Sequence, residues 1–132
     1  MKIRRIGWFG TRTDRFDETT RFFGTVLGLR IHHAEPGFAM FALPEADGDY
    51  IEVFGPGPSD VWPTDGPGTG VAFVVDDILA ARDELAAQRV ELVGEVAWAT
   101  SRPGYGWFYF RGPDGHLYSI MQGSQLRGKA EL

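Results

Sequence analysis

The chain has 132 residues, 43% of them hydrophobic, which suits a single folded domain with a real core and excludes a disordered chain. Its formal net charge of −5 and the lack of any Lys/Arg cluster argue against a nucleic-acid partner. With no cysteine, disulfides, thiolate nucleophiles and cysteine-based zinc sites are excluded. No apolar run is long enough for a signal peptide or a membrane helix, so we expect a cytoplasmic protein with no membrane partner.

The first half of the chain predicts one strand, one helix and three more strands. Residues 3–13 have strand character, and "DRFDETTRFFGTVLGL" is typical of an amphipathic helix that Asp14 caps and Gly28 ends. Its apolar residues fall near one face, namely Phe16, Phe23, Val26 and Leu27. Turn-rich separators then divide three short strands, predicted at 29–34, 38–43 and 50–54.

The second half of the chain repeats this order after a linker. Residues 56–69 are too rich in glycine and proline for a helix or a central strand. "GVAFVVDD" then predicts a strand, and "DDILAARDELAAQ" predicts a helix capped by Asp77, with Ile78, Ala81 and Leu85 on its inner face. "VELVGEVAWA", "GWFYFRG" and "HLYSIMQ" predict three further strands, and residues 124–132 form a tail.

The two halves are also similar residue by residue. "MFALPEADGDYIEVF" and "WFYFRGPDGHLYSIM" superpose with a constant offset of 67, which places Phe41 on Phe108 and Val53 on Ile120. A repeat of this length indicates two units that each need a partner to cover one sheet face. The sequence therefore predicts an α+β fold of two tandem βαβββ modules, 1–55 and 70–123, within one domain.

The motifs of the two modules resemble those of the vicinal oxygen chelate superfamily, which includes glyoxalases, bleomycin-resistance proteins and extradiol dioxygenases. The likeness lies in "FFGTVLGLRI", "VAFVVDDILAARDEL" and "YFRGPDGHLYSIMQ", which follow one another in the family's order. The resemblance implies a curled mixed sheet around a central cavity, with the helices outside. It also implies pairing into a homodimer.

The resemblance places metal ligands at four positions of the chain, two in each module. These positions are Gly7, Glu52, Gly70 and Ser119. Glycine has no side chain to donate, and a serine hydroxyl is a poor ligand for a transition metal, so we expect a vestigial site with no metal or other cofactor. The adjacent His32 and His33 should point to opposite faces of a strand and so could not chelate one ion together.

Taking the four positions as inward assigns the cavity lining by alternation along each strand. Phe41, Phe108 and Phe110 then fall in the core beneath the helices. The expected ligand-binding residues are Phe9, Tyr50, Glu52, Phe54, Trp107, Tyr109, Ser119 and Met121. Such an aromatic lining would suit a flat or aromatic ligand, although the rings could instead simply fill the space.

Glu52 is the one acidic residue in this lining and has three interpretations. It could bind a cationic or hydrogen-bonding ligand, act as a general base, or form an ion pair with Arg5 or another arginine. We favour the first, which predicts a metal-independent protein that binds a small organic molecule, resembling the drug-sequestering bleomycin-resistance proteins. The alternative is an enzyme of the glyoxalase, lyase, isomerase or hydrolase type in which Glu52 is catalytic, without or, less favoured, with a divalent metal.

Overall fold

A computed structural model describes residues 1–45, 49–57, 62–64, 66–100 and 102–123. The predicted tail, 124–132, and parts of the predicted linker lie outside these ranges. The eight strands are β1 (Arg5–Arg12), β2 (Arg30–Glu35), β3 (Phe38–Ala42), β4 (Tyr50–Phe54), β5 (Gly68–Val74), β6 (Glu91–Trp98), β7 (Gly106–Arg111) and β8 (Leu117–Gln122). The helices are α1 (Phe16–Arg21), continued by a π-helical turn (Phe22–Val26), and α2 (Ile78–Ala87).

The strands and helices confirm the predicted α+β class and the βαβββ order of both modules. The chain divides into two compact units, Trp8–Thr69 and a second formed by Met1–Gly7 with Gly70–Leu132. In the first unit the strands neighbour one another as β2-β3-β4-β1, and β4 runs parallel to β1. In the second unit the corresponding order is β6-β7-β8-β5, and β8 runs parallel to β5.

Each unit has a core between one sheet face and its helix. In the first unit Ala39, Phe41 and Val53 are fully buried against Phe16 and Phe23 of the helix. The core of the second unit comprises Val75, Ile78, Ala81, Phe108 and Ile120, with Leu85 and Phe110 packed against it. The prediction that Phe41, Phe108 and Phe110 lie beneath the helices is therefore confirmed.

The first helix differs from its prediction at its start and in its last turn. It begins one residue later than predicted, with Arg15 at the N-cap position and no side-chain cap, and the carboxylate of Asp14 accepts a hydrogen bond from Arg12. The last turn is π-helical, which means that its hydrogen bonds join residues five apart rather than four: the Leu27 N–H donates to the Phe22 carbonyl. This turn breaks the 3.6-residue period, so Val26 and Leu27 are exposed rather than on the core face. Gly28 ends the helix at φ +73°, as predicted.

The second helix follows its prediction closely. The Asp77 carboxylate caps the helix by accepting a hydrogen bond from the Ala80 N–H at 3.0 Å. Ile78 and Ala81 are buried on its inner face. Neither this helix nor any other helix among the described residues is long and apolar enough to cross a membrane.

The turn between β7 and β8 is closed by Asp114. Its carboxylate accepts hydrogen bonds from the Tyr118 hydroxyl at 2.7 Å and from the His116 N–H at 3.0 Å. The Tyr118 hydrogen bond, followed by that from His116, lowers the pKa of Asp114 below its usual value. The ionised carboxylate therefore stabilises the folded hairpin.

We expect the stabilising effect of the Tyr118 hydroxyl to depend on pH. Because the pKa of Asp114 is lower in the folded chain, the stabilisation is complete above the unfolded pKa of about 3.9 and is lost as the pH falls through the folded value. Tyr118→Phe retains the ring, which stacks on Phe110 at 5.7 Å, and removes the hydroxyl. The difference in Tm between this variant and the parent should be present at pH 7 and shrink below pH about 4. A difference that stays constant with pH would contradict this assignment.

Candidate functional site

The site begins with the register of β1 on β4 in the first unit. Trp8, Gly10 and Arg12 are the Cα partners of Tyr50, Glu52 and Phe54. Because register partners on neighbouring strands share a face, these six side-chain positions lie together. We call this surface the Glu52 face; on β3 it continues with Met40, the Cα partner of Glu52.

Phe9 does not belong to the Glu52 face. It is the Cα partner of Ile51, whose side chain packs toward the helix, and it is 41% exposed. The prediction that Phe9 shares a face with Glu52 is therefore wrong. Alternation counted from Gly7 predicted that Phe9 shares a face with Glu52. In the structure Trp8, the Cα partner of Tyr50, lies on that face instead.

The carboxylate of Glu52 lies in an almost dry position. The residue is 4% exposed, and its neighbours Tyr50 and Phe54 are 3% and 1% exposed. A charged group in such surroundings costs free energy unless polar groups accompany it, so its presence in a β-strand is not explained by packing alone. Opposite Glu52 on β1 is Gly10, where an added Cβ would lie 2.6 Å from Phe54 Cε2 and 2.9 Å from Trp8 Cζ3. Two rings therefore close over the glycine beside Glu52.

Aromatic rings form a continuous cluster around Phe54. Its ring centroid lies 5.6 Å from that of Trp8, 5.5 Å from that of Phe38 and 5.1 Å from that of Trp62. Trp62 is only 2% exposed although it comes from the predicted linker. The sequence did not predict its burial, because a Gly/Pro-rich segment has no periodicity from which a buried face can be inferred. The signal that could have indicated it is a large apolar side chain in an otherwise small and polar segment.

Arg12 is a second charged residue on the Glu52 face that sequence reasoning missed. It lies at the end of β1 and its side chain is 4% exposed. Its Nη1 donates to Asp14 Oδ1 at 2.8 Å, whereas its Nε is buried and has no hydrogen-bond partner among the described residues. Alternation from Gly10 would have placed this arginine on the same face as Glu52.

The predicted site residues of the second unit also share one face. Trp107 and Tyr109 of β7 are the Cα partners of Met121 and Ser119 of β8. Tyr109, Ser119 and Met121 are buried, and the Ser119 hydroxyl donates to the Phe108 carbonyl at 2.9 Å. That hydroxyl is therefore used in the sheet itself, which makes Ser119 a structural residue in this arrangement.

The four positions implied for a metal do not fit a transition-metal centre. Gly7 and Gly70 offer no donor, and the hydroxyl of Ser119 already donates within its own sheet. At Gly7 an added Cβ would lie 2.4 Å from Met121 Sδ, so the methionine occupies the space beside the glycine. No group of three or more His, Asp or Glu side chains among the described residues is arranged to bind a metal ion.

The two histidines of β2 lie differently from the prediction. The ring of His32 contacts Tyr50 at 4.9 Å between centroids, and that of His33 lies 6.1 Å from Phe38. A register shift between Ile31 and His33 interrupts the alternation. His32 therefore reaches Tyr50, and His33 reaches Phe38, the Cα partner of Phe54, so both rings lie on the Glu52 face. The expectation that they point to opposite faces is wrong for that reason.

The family is established by comparison with known proteins. The model of the Glyoxalase/Bleomycin resistance protein/Dioxygenase superfamily matches residues 5–120. The chain belongs to this superfamily, as the sequence motifs and the paired βαβββ modules indicated.

The individual relatives are more distant. An uncharacterised protein, YwbC, of Bacillus subtilis (strain 168) is 27% identical over 124 residues, which cover 90% of this chain and 98% of that protein. Methylmalonyl-CoA epimerase from Mycobacterium tuberculosis superposes with a TM-score of 0.70 and 21% identity, over 96% of this chain and 93% of that one. The Mn(II)-bound glyoxalase from Novosphingobium aromaticivorans gives a TM-score of 0.71 and 22% identity, over 91% of this chain and 39% of that one. At these identities the structural likeness shows the fold.

Proposed function

We propose that this protein binds a small organic molecule at the Glu52 face and does so without a metal ion. The observation that carries the proposal is a carboxylate that is 4% exposed on a sheet face that also holds Trp8, Tyr50 and Phe54. Rings attract flat or aromatic ligands, and a carboxylate among them binds a cationic or hydrogen-bond-donating group. Sequestration of such a molecule, in the manner of a drug-resistance protein, is the function that this arrangement supports best.

The proposal extends to the setting in which the protein works. We propose a cytoplasmic homodimer whose partner is the small molecule rather than a nucleic acid or a membrane. The net charge of −5 supports the exclusion of nucleic acid. The poor donor set at Gly7, Gly70 and Ser119 supports binding without metal.

The Glu52→Gln variant tests the proposal because it keeps the shape of the side chain and removes its charge. Phenethylamine and 2-phenylethanol share a ring and a chain and differ in charge, so they serve as probes. We expect the parent to bind phenethylamine more tightly than 2-phenylethanol. Glu52→Gln should weaken the binding of phenethylamine by about 10- to 100-fold, since a hydrogen bond to a charged group contributes about 1.5–3 kcal/mol. Thermal shift and the fluorescence of Trp8 and Trp62 provide the measurements.

A matched control for this experiment is Glu95→Gln, because Glu95 is also on a strand but its side chain is 94% exposed. This variant should bind both probes as the parent does. If neither probe, nor any other aromatic or cationic compound, changes the Tm or the fluorescence of the parent, the binding proposal is wrong.

An enzyme is the second candidate function. Two structural neighbours are an epimerase and a glyoxalase, and Glu52 is a carboxylate of the kind that can accept a proton from carbon next to a carbonyl. The Glu52→Gln variant separates the two candidates. A bound carbonyl compound that exchanges hydrogen for deuterium in D2O with the parent and not with Glu52→Gln, while binding persists, would favour the enzyme.

A further inference from the structure

Arg12 and Glu52 give the Glu52 face two opposite charges at separate places. Gly10 is the Cα partner of Glu52, and Arg12 lies two residues further along β1, which is roughly 6.6 Å at the rise of a strand. Both side chains are 4% exposed. The Arg12 guanidinium donates a hydrogen bond to the carboxylate of Asp14 at 2.8 Å.

The guanidinium of Arg12 has binding capacity that the described residues do not use. A guanidinium carries five N–H donors in a planar fork that matches a carboxylate or a phosphate. Nη1 donates to Asp14, and the buried Nε has no partner in the described ranges. A buried donor without a partner costs free energy, so a structure that places one beside a cluster of rings is suited to an anionic group that arrives from outside.

Asp14 is the counter-ion of Arg12, and an anionic group of a ligand could replace it or bind beside it. Its side chain is 67% exposed, whereas that of its partner Arg12 is almost wholly buried. An ion pair with one exposed partner contributes little to stability, so exchanging it for a desolvated anion costs little. Phe54 is the Cα partner of Arg12 and shares its face of the sheet, so an aromatic residue lies in register with the guanidinium-bearing residue.

We propose that Arg12 forms an anion-binding subsite and that the ligand of this protein is a small aromatic acid, with its carboxylate or phosphate on Arg12. This inference rests on the proposed binding function and adds the chemical class of the ligand. The apolar part of the ligand packs on the cluster of Trp8, Phe54 and Trp62. A hydrogen-bond donor on the ligand, where present, faces Glu52.

The test compares four compounds of similar size: 2-phenylethanol, phenethylamine, 3-phenylpropionate and phenyl phosphate. We expect the parent to bind at least one of the two anions more tightly than 2-phenylethanol, and the tighter anion identifies a carboxylate or a phosphate ligand. Arg12→Gln should weaken binding of that anion by about 10- to 100-fold and change binding of 2-phenylethanol by less than about twofold. Arg12→Lys should be intermediate, because an ammonium keeps the charge but cannot bind in a bidentate manner.

Two further variants guard against misfolding and non-specific charge effects. Asp14→Asn leaves Arg12 in place and removes its competing carboxylate, so affinity for the anion should rise by about threefold or more, which a purely structural arginine would not cause. Arg30→Gln, at an exposed arginine of β2, should leave all affinities unchanged.

Each outcome has a defined meaning. If the neutral alcohol or the amine binds and neither anion is preferred, the anion subsite is wrong and the binding function stands. If Asp14→Asn fails to raise anion affinity and Arg12→Gln fails to lower it, Arg12 is structural. If none of the four compounds binds, the anion subsite is wrong, and the binding function is wrong as well if no other aromatic or cationic compound binds.

Discussion

Phe54→Ala is expected to lower the free energy of unfolding by about 3–5 kcal/mol, as is typical of truncating a buried phenylalanine. Phe54 is 1% exposed, and its ring contacts those of Trp8, Phe38 and Trp62. Removing it leaves a cavity at the centre of the cluster, which three large rings cannot close without leaving their positions. Chemical denaturation followed by tryptophan fluorescence measures the loss and should also show a red shift in the emission of the folded variant.

The control for Phe54→Ala is Phe22→Ala, since Phe22 is 47% exposed on the π-helical turn. Its truncation should cost less than about 1.5 kcal/mol, because little apolar area is returned to water. A similar loss for the two variants would mean that the cluster around Phe54 is not tightly packed.

Phe41→Ala and Phe108→Ala are expected to destabilise the chain by about 3–5 kcal/mol each. The two residues are related by the sequence repeat, and each is 0% exposed in the core of its own unit. Phe41 packs edge-on against Phe23 of the first helix at 5.9 Å between centroids. Phe108 packs against α2, where the guanidinium of Arg82 lies 5.2 Å from its ring centroid.

Leu79→Ala is the control for this pair, because Leu79 is on α2 but 54% exposed. It should cost well under about 1.5 kcal/mol. If truncating either phenylalanine lowers the free energy of unfolding no more than Leu79→Ala does, the two helix-covered cores are not equivalent. The repeat would then be a similarity of backbone and not of packing.

The periodic pattern of the sequence was sufficient to predict the two modules and the residues of their cores. Alternation placed Ile51 and Val53 opposite Tyr50, Glu52 and Phe54, and the structure packs Ile51 and Val53 against the first helix. The cap at Asp77 was equally predictable, because a cap depends on residues three positions apart. Such features depend on contacts that are close in sequence or repeat with a fixed period.

The phase of β1 was not predictable in the same way. In "IGWFGT" either alternation leaves a glycine and an aromatic residue on one face, so the local pattern does not choose between Phe9 and Trp8. The parallel register with β4, more than 40 residues away, makes the choice and places Trp8 beside Tyr50. The bulge that brings His32 onto Tyr50 is likewise a property of strand pairing rather than of the β2 sequence.

Sequence alone thus determined the superfamily, the two βαβββ modules, the helix-covered cores and the burial of Glu52's strand. Tertiary structure decided what surrounds Glu52, because strand register and loop packing join residues that no periodicity connects. It removed Phe9 from the Glu52 face and brought Trp62 from the linker onto Phe54. It also buried Arg12 on that face with a donor, Nε, for which the described part of the chain offers no acceptor, and this donor is the basis of the proposed anion subsite.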